Sequence, residues 1–261
     1  MEPSFFTLWL SGLGAVLAAL TALWLVSIPL RDVSIVDPAW GLTFAIQGTV
    51  WFTLGADGGR ASLALALVWV WALRLGLYLL WRRQGHGEDF RYQEFRRRFG
   101  PERYWWLSLF QVFWLQGGLS ALVGLTLLGA MMGEAPLGWL DGVGALIWAF
   151  GFVFEAGGDW QLARFKADPA NKGKLLTTGL WRYTRHPNYF GDACQWWGLA
   201  VLCVAAGTPI AALGAVLMTW LIVKVSGVAL LERSLERVKP GYEDYTARTS
   251  AFVPWPPRER R

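Results

Sequence analysis

The chain has 261 residues, of which 54% are hydrophobic, 18 are tryptophan and only 16% are charged. A water-soluble domain is normally about a quarter charged, so this composition excludes an ordinary soluble globule and predicts a polytopic membrane protein. The net charge of +5 gathers in three basic loops, a pattern of membrane orientation and not of nucleic-acid binding, and two cysteines and two histidines leave neither a disulfide framework nor a histidine-rich metal centre.

Hydrophobic runs of roughly 18 residues or more recur along the whole chain. They predict an all-α fold with seven transmembrane helices, at about 5–28, 38–55, 62–81, 107–132, 139–162, 190–206 and 210–231. Lys and Arg number seven in 82–104, six in 164–188 and seven in 232–261, whereas 56–61 and 133–138 together hold only Arg60. The positive-inside rule then predicts an outside N-terminus and a cytoplasmic C-terminus. The N-terminus lacks a basic leader and a small-residue cleavage site, so the first span is expected to be retained. No internal repeat or boundary is visible, and a single domain over residues 1–261 is expected.

The first span, Phe5 to Ile28, carries no charge and reads as packing and anchoring. The stretch V-D-P-A-W-G, Val36 to Gly41, places Asp37 at the mouth of the second span. Asp37 either caps a helix N-terminus or faces a substrate cavity, where burial would raise its pKa and keep it a proton donor. In the third span, Arg74 lies too deep for easy snorkelling, and Tyr78 is one turn on along the same face. Arg74 reads as a buried cation for a phosphate or a cofactor ring. The loop from Gly85 to Gly100 interleaves charge with aromatics; Arg96 to Arg98 suit lipid headgroups, and G-E-D-F-R-Y suits part of a lid.

In the fifth span, Glu155 and Asp159 stand four apart on one helix face, with Gly157 and Gly158 between them. They are placed to accept hydrogen bonds from ribose hydroxyls or an adenine amine. Arg164, Lys166, Lys172 and Lys174 follow as a cationic rim. Next comes G-L-W-R-Y-T-R-H-P-N-Y-F-G-D, Gly179 to Asp192, dense in hydrogen-bonding groups at a helix mouth. This run, with Arg185, His186, Asn188, Tyr189 and Asp192, and with Trp196 just beyond, is expected to close over the polar part of a cofactor. In the tail, Glu232, Tyr242 and Tyr245 either belong to interfacial anchoring or fold back over that cofactor.

These motifs together, with L-R-x-G-x-Y and E-x-x-x-D-x-Q, resemble the steroid 5-alpha-reductase family in its bacterial, DUF1295-type branch, over roughly residues 33–256. The R-H-P-N-Y element is also similar to the isoprenylcysteine and phospholipid methyltransferases, which share the membrane architecture but use S-adenosylmethionine. The resemblance to the reductases implies NADPH as cofactor, its site open to the cytoplasm of a bacterial inner membrane, and hydride transfer to the carbon-carbon double bond of a lipophilic enone, steroid or isoprenoid. It implies cofactor contacts at Arg74, Tyr78, Glu155, Asp159, Lys166, Lys174, Asn188 and Asp192, with Glu232, Tyr242 and Tyr245 toward the adenosine. Asp37 takes the place of the acid that polarises the ketone, and Arg74 and Tyr78 complete the expected catalytic set. Trp71 stands where the family has the tyrosine partner of that acid, and Tyr78 or Tyr189 is the expected substitute. No metal, no nucleic acid and a monomer in membrane lipid are expected. A methyltransferase remains the alternative activity, and a non-enzymatic lipid-binding or transport protein the third.

Overall fold

Among the described residues of the computed structural model, four helices are long and apolar enough to cross a bilayer: α1 (Phe5–Leu30), α3 (Gly59–Arg83), α5 (Pro101–Met131) and α6 (Trp139–Ala167). Between them lie α2 (Trp40–Thr53) and α4 (Phe90–Phe99). After them come α7 (Pro187–Ala205), α8 (Pro209–Val225) and the short α9 (Tyr242–Arg248). The structure describes residues 3–226, 228 and 241–258, and among these it is all-helical, with one isolated bridge between Thr184 and Ser250. The expected first, third, fourth and fifth spans are thus present, extended by a few residues. The second is a helix of only 14 residues led in by a 3-10 turn, Val33–Ala39. The last expected span runs partly outside the described residues.

The chain packs as two compact units, Met1–Gly138 with Leu202–Gly214, and Trp139–Val201 with Ala215–Arg261. In the first, α3 buries Ala61, Ala64, Val68, Trp71, Ala72 and Gly76 and leaves Val70, Leu73, Leu77 and Leu80 exposed. Trp71 apart, small side chains inward and large apolar ones outward is the reverse of a soluble helix and suits a lipid-facing one. The helices therefore approach closely. A Cβ on Gly41 of α2 would stand 2.9 Å from the Cα of Ala72, and one on Gly12 of α1 would stand 2.5 Å from the Trp51 indole. That indole donates to the Leu8 carbonyl at 2.6 Å, so the ring both fills the crossing and satisfies its own N–H.

Arg60, in the first turn of α3, is only 3% exposed. Its guanidinium donates to the carbonyls of Gly133 and Pro136 at 3.3 and 3.2 Å. It therefore serves the 133–136 loop, whose carbonyls follow the end of α5 and have no helical donor.

In the second unit, glycines recur every seven residues, Gly144, Gly151 and Gly158 on α6 and Gly191 and Gly198 on α7. A Cβ on Gly191 would stand 2.4 Å from the Gly151 carbonyl oxygen, and one on Gly198 2.6 Å from that of Gly144. Nothing but glycine fits this seam, and the close crossing brings the polar groups of the two helices together.

Candidate functional site

The first unit's polar cluster is built around the 3-10 turn Val33–Ala39. Asp32 caps that turn, accepting from the Ser34 amide at 2.9 Å, and pairs with Arg83. The segment after α3 folds back onto the same turn. Glu88 accepts from the Val33 amide at 2.9 Å and pairs with Arg96 at 2.8 Å. Asp37 is half-buried and held from α4: Arg91 Nη2 donates to it at 2.7 Å and the Tyr92 hydroxyl at 2.6 Å.

Burial raises the Asp37 carboxyl above its usual range, outweighing the Arg91 charge and the Tyr92 hydrogen bond. Burial and then the charge of Asp37 raise the Tyr92 phenol in turn. Asp89 moves the other way, because the hydrogen bonds from Arg91 overcome its burial. The expected direction at Asp37 is present, but its surroundings are neither a free helix cap nor a lone acid. The G-E-D-F-R-Y stretch, expected as lid material, supplies both of its partners. Arg74 and Tyr78 lie half-buried on α3, and the Tyr78 ring packs 6.0 Å from Trp81 with Arg82 over it at 5.6 Å.

In the second unit, Glu155 and Asp159 are 3% and 4% exposed on a helix apolar enough to span a membrane. Gln195 Nε2 donates to Glu155 Oε2 at 2.6 Å, and Asn188 Nδ2 to Asp159 Oδ1 at 3.1 Å. The two carboxylates a turn apart on α6 thus meet two amides two turns apart on α7. The opposite oxygens, Asn188 Oδ1 and Gln195 Oε1, are buried and have no hydrogen-bond partner among the described residues. Buried acceptors are normally satisfied, and this pair keeps the capacity to accept two further hydrogen bonds.

The run from Gly179 to Asp192 is positioned by local chemistry. Trp181 Nε1 donates to the Gly158 carbonyl at 3.1 Å, and the Leu180 amide to Gln161 Oε1 at 3.0 Å, which ties the run to α6. Pro187 opens α7, where its missing N–H costs nothing. His186 is 2% exposed and stacks on Tyr189 at 5.7 Å. Trp196 is buried, Asp192 half-buried, and Lys166 and Lys174 are exposed.

The tail does fold back. The Arg185 amide donates to Ser250 O at 2.9 Å, its guanidinium to Thr246 O and Thr249 O at 3.1 and 2.9 Å, and Thr184 Oγ1 to Phe252 O at 2.8 Å. Tyr242 and Tyr245 are both buried, and the Tyr245 hydroxyl donates to Trp181 O at 2.5 Å. Burial raises that phenol above its usual range. Arg185 therefore staples the tail to the run. Glu232 lies outside the described residues.

Of the expected residues, the structure joins Asp159 and Asn188 directly, sets Glu155 one turn before Asp159 on α6, and links Arg185 and Tyr245 through the run and the tail. Sequence reasoning missed Tyr92 and Arg91 as partners of Asp37, and Gln195 as the partner of Glu155. The Gln195 signal was present: it follows Asn188 by seven residues, two turns on the same face. No curated protein and no solved structure matches the chain. A family model does match, over residues 23–249, and the chain belongs to that family, described as protein of unknown function (DUF1295).

Proposed function

We propose that this protein is a membrane oxidoreductase that uses NADPH to reduce the carbon-carbon double bond of a lipophilic enone. The observation that carries the reading is the acid–amide ladder of the second unit, Glu155–Gln195 and Asp159–Asn188, with two buried acceptors left over. Packing alone gives no reason to place two carboxylates in an apolar helix, and such groups usually mark a functional site. The family's association with steroid 5-alpha-reductase-like proteins supports the same class.

The donor set fits a dinucleotide. Asn188 Oδ1 and Gln195 Oε1 would accept from amine or carboxamide N–H groups, and the two carboxylates from ribose hydroxyls. Lys166 and Lys174, exposed at and beyond the end of α6, would meet phosphate charge. NADPH supplies the hydride. The chain's own task is to hold the alkene carbon in place and to stabilise the charge that develops on the ketone oxygen. We assign the second role to Asp37 and Tyr92. Tyr92 carries the dissociable proton that Trp71 lacks, since an indole N–H donates but does not transfer a proton. Seven crossings, with the basic loops and the cofactor site on the cytoplasmic side of a bacterial inner membrane, complete the reading.

Thermal unfolding of the detergent-purified protein with NADPH, NADH or S-adenosylmethionine tests it. A ligand that binds only the folded state must raise the melting temperature. Stabilisation by NADPH, followed by enone-dependent NADPH oxidation, is expected. Stabilisation by S-adenosylmethionine alone would overturn the reductase in favour of a methyltransferase.

A further inference from the structure

A cleft of ≈ 450 Å³ opens beside the tail, lined by Arg185, Thr246–Ala251, Trp255, Pro256 and Arg258. Arg185, Arg248 and Arg258 bring three permanent positive charges to its wall, and no carboxylate is among the lining residues. Its frame is fixed by backbone. The Arg258 amide donates to Arg248 O at 3.0 Å, closing the 248–258 segment into a loop, and Trp255 N donates to Tyr183 O at 2.9 Å. The guanidinium of Arg185 is pinned by the carbonyls of Thr246 and Thr249. Arg248 and Arg258 are exposed, and Trp255 is 69% exposed on the rim.

Three guanidinium groups in the wall of one small concavity make it positive, which favours an anion there. Guanidinium forks match the oxygens of a phosphate group in particular. Thr249 and Ser250, also in the lining, carry hydroxyl groups that can donate to such an oxygen. An exposed tryptophan between two prolines suits the headgroup level of a membrane.

We propose that this cleft is a binding site for a phosphate group, in which Arg185, Arg248 and Arg258 supply the charge. The source is either the headgroup of an anionic lipid or a free phosphate, and both present the same chemistry. The site shares Arg185 with the run expected to close over a cofactor, but it uses neither the acid–amide ladder nor any redox chemistry.

The test uses the full-length protein without cofactor, as wild type, R248A/R258A and R248K/R258K. Native mass spectrometry counts retained phosphatidylglycerol against phosphatidylcholine. In parallel, thermal unfolding is compared in inorganic phosphate and in chloride at equal ionic strength. A lipid source predicts a several-fold preference for phosphatidylglycerol in the wild type, lost in the alanine variant and partly kept in the lysine variant. A free-phosphate source predicts a phosphate-dependent rise in melting temperature with the same order among variants. Both alanine targets are exposed, so the fold should persist, and an unchanged melting temperature in chloride confirms it. Equal lipid retention together with equal phosphate response in all three proteins would overturn the proposal. So would an alanine variant that loses both lipids equally.

Discussion

Glu155 and Asp159 sit where ionised carboxylates are costly, and each is held by one amide of α7. Truncating that amide leaves a buried charge short of a donor and removes a ligand acceptor at once. Gln195→Leu is therefore expected to abolish most of the NADPH-dependent rise in melting temperature. A hydrogen bond to a charged group contributes about 1.5–3 kcal/mol, so cofactor affinity should fall by roughly ten- to a hundredfold. Isothermal titration with NADPH measures it. At Asp37 the chemistry is different, because Arg91 and Tyr92 reach it from α4. Tyr92→Phe keeps the ring and removes the proton, so turnover should drop by about 10²–10⁴-fold, the usual range for a general acid, with NADPH binding unchanged. Tyr92 and Tyr245 both have phenols raised by burial. Stability from a raised group is whole below its ordinary pKa, about 10 for tyrosine, and is lost as the pH climbs through the folded value. Ultraviolet titration should thus show late-ionising phenols, one fewer in Tyr245→Phe, with unfolding accompanying their ionisation.

Between α6 and α7 the glycine seam sets the distance that lets amides of one helix reach acids of the other. A side chain at Gly191 meets the backbone of Gly151 and Glu155 within 2.9 Å, so relief requires moving a helix and not a rotamer. Gly191→Leu should lower the melting temperature and weaken NADPH binding together, with an overpacking cost of at least about 1–3 kcal/mol. Gly14, by contrast, has open space around it, and Gly14→Ala should leave both unchanged. Arg60 works at the same scale in the first unit. Arg60→Ala strips the donors from the carbonyls of Gly133 and Pro136 and should cost about 1–3 kcal/mol. The melting temperature checks it, since no ligand contact is involved.

For the whole molecule, the proposed topology makes a prediction that labelling can settle. Single cysteines replacing Asp57, Glu134, Gln93 or Lys172 in a Cys194→Ala/Cys203→Ala background probe the loops from outside the intact cell. Positions 57 and 134 should react with a membrane-impermeant maleimide, and positions 93 and 172 only after lysis. Reaction at position 93 in intact cells would invert the orientation and put the basic segments outside.

Much of this arrangement is legible in the residues alone. Long apolar runs demand a bilayer and helices, because unsatisfied backbone in lipid is prohibitive. Arg74, Glu155 and Asp159 stand out for the related reason that charge in an apolar helix is costly without a purpose. Periodicity also places Glu155 with Asp159, and Asn188 with Gln195, on common faces, since each pair belongs to one helix. What periodicity cannot convey is which face meets which. Asp37 meets a tyrosine and an arginine some 54 residues on, and Glu155 a glutamine 40 residues on. The tail's carbonyls meet Arg185. Those pairings depend on how closely helices cross and where loops turn back, and both are set by glycines and backbone hydrogen bonds acting across the fold, not along the chain.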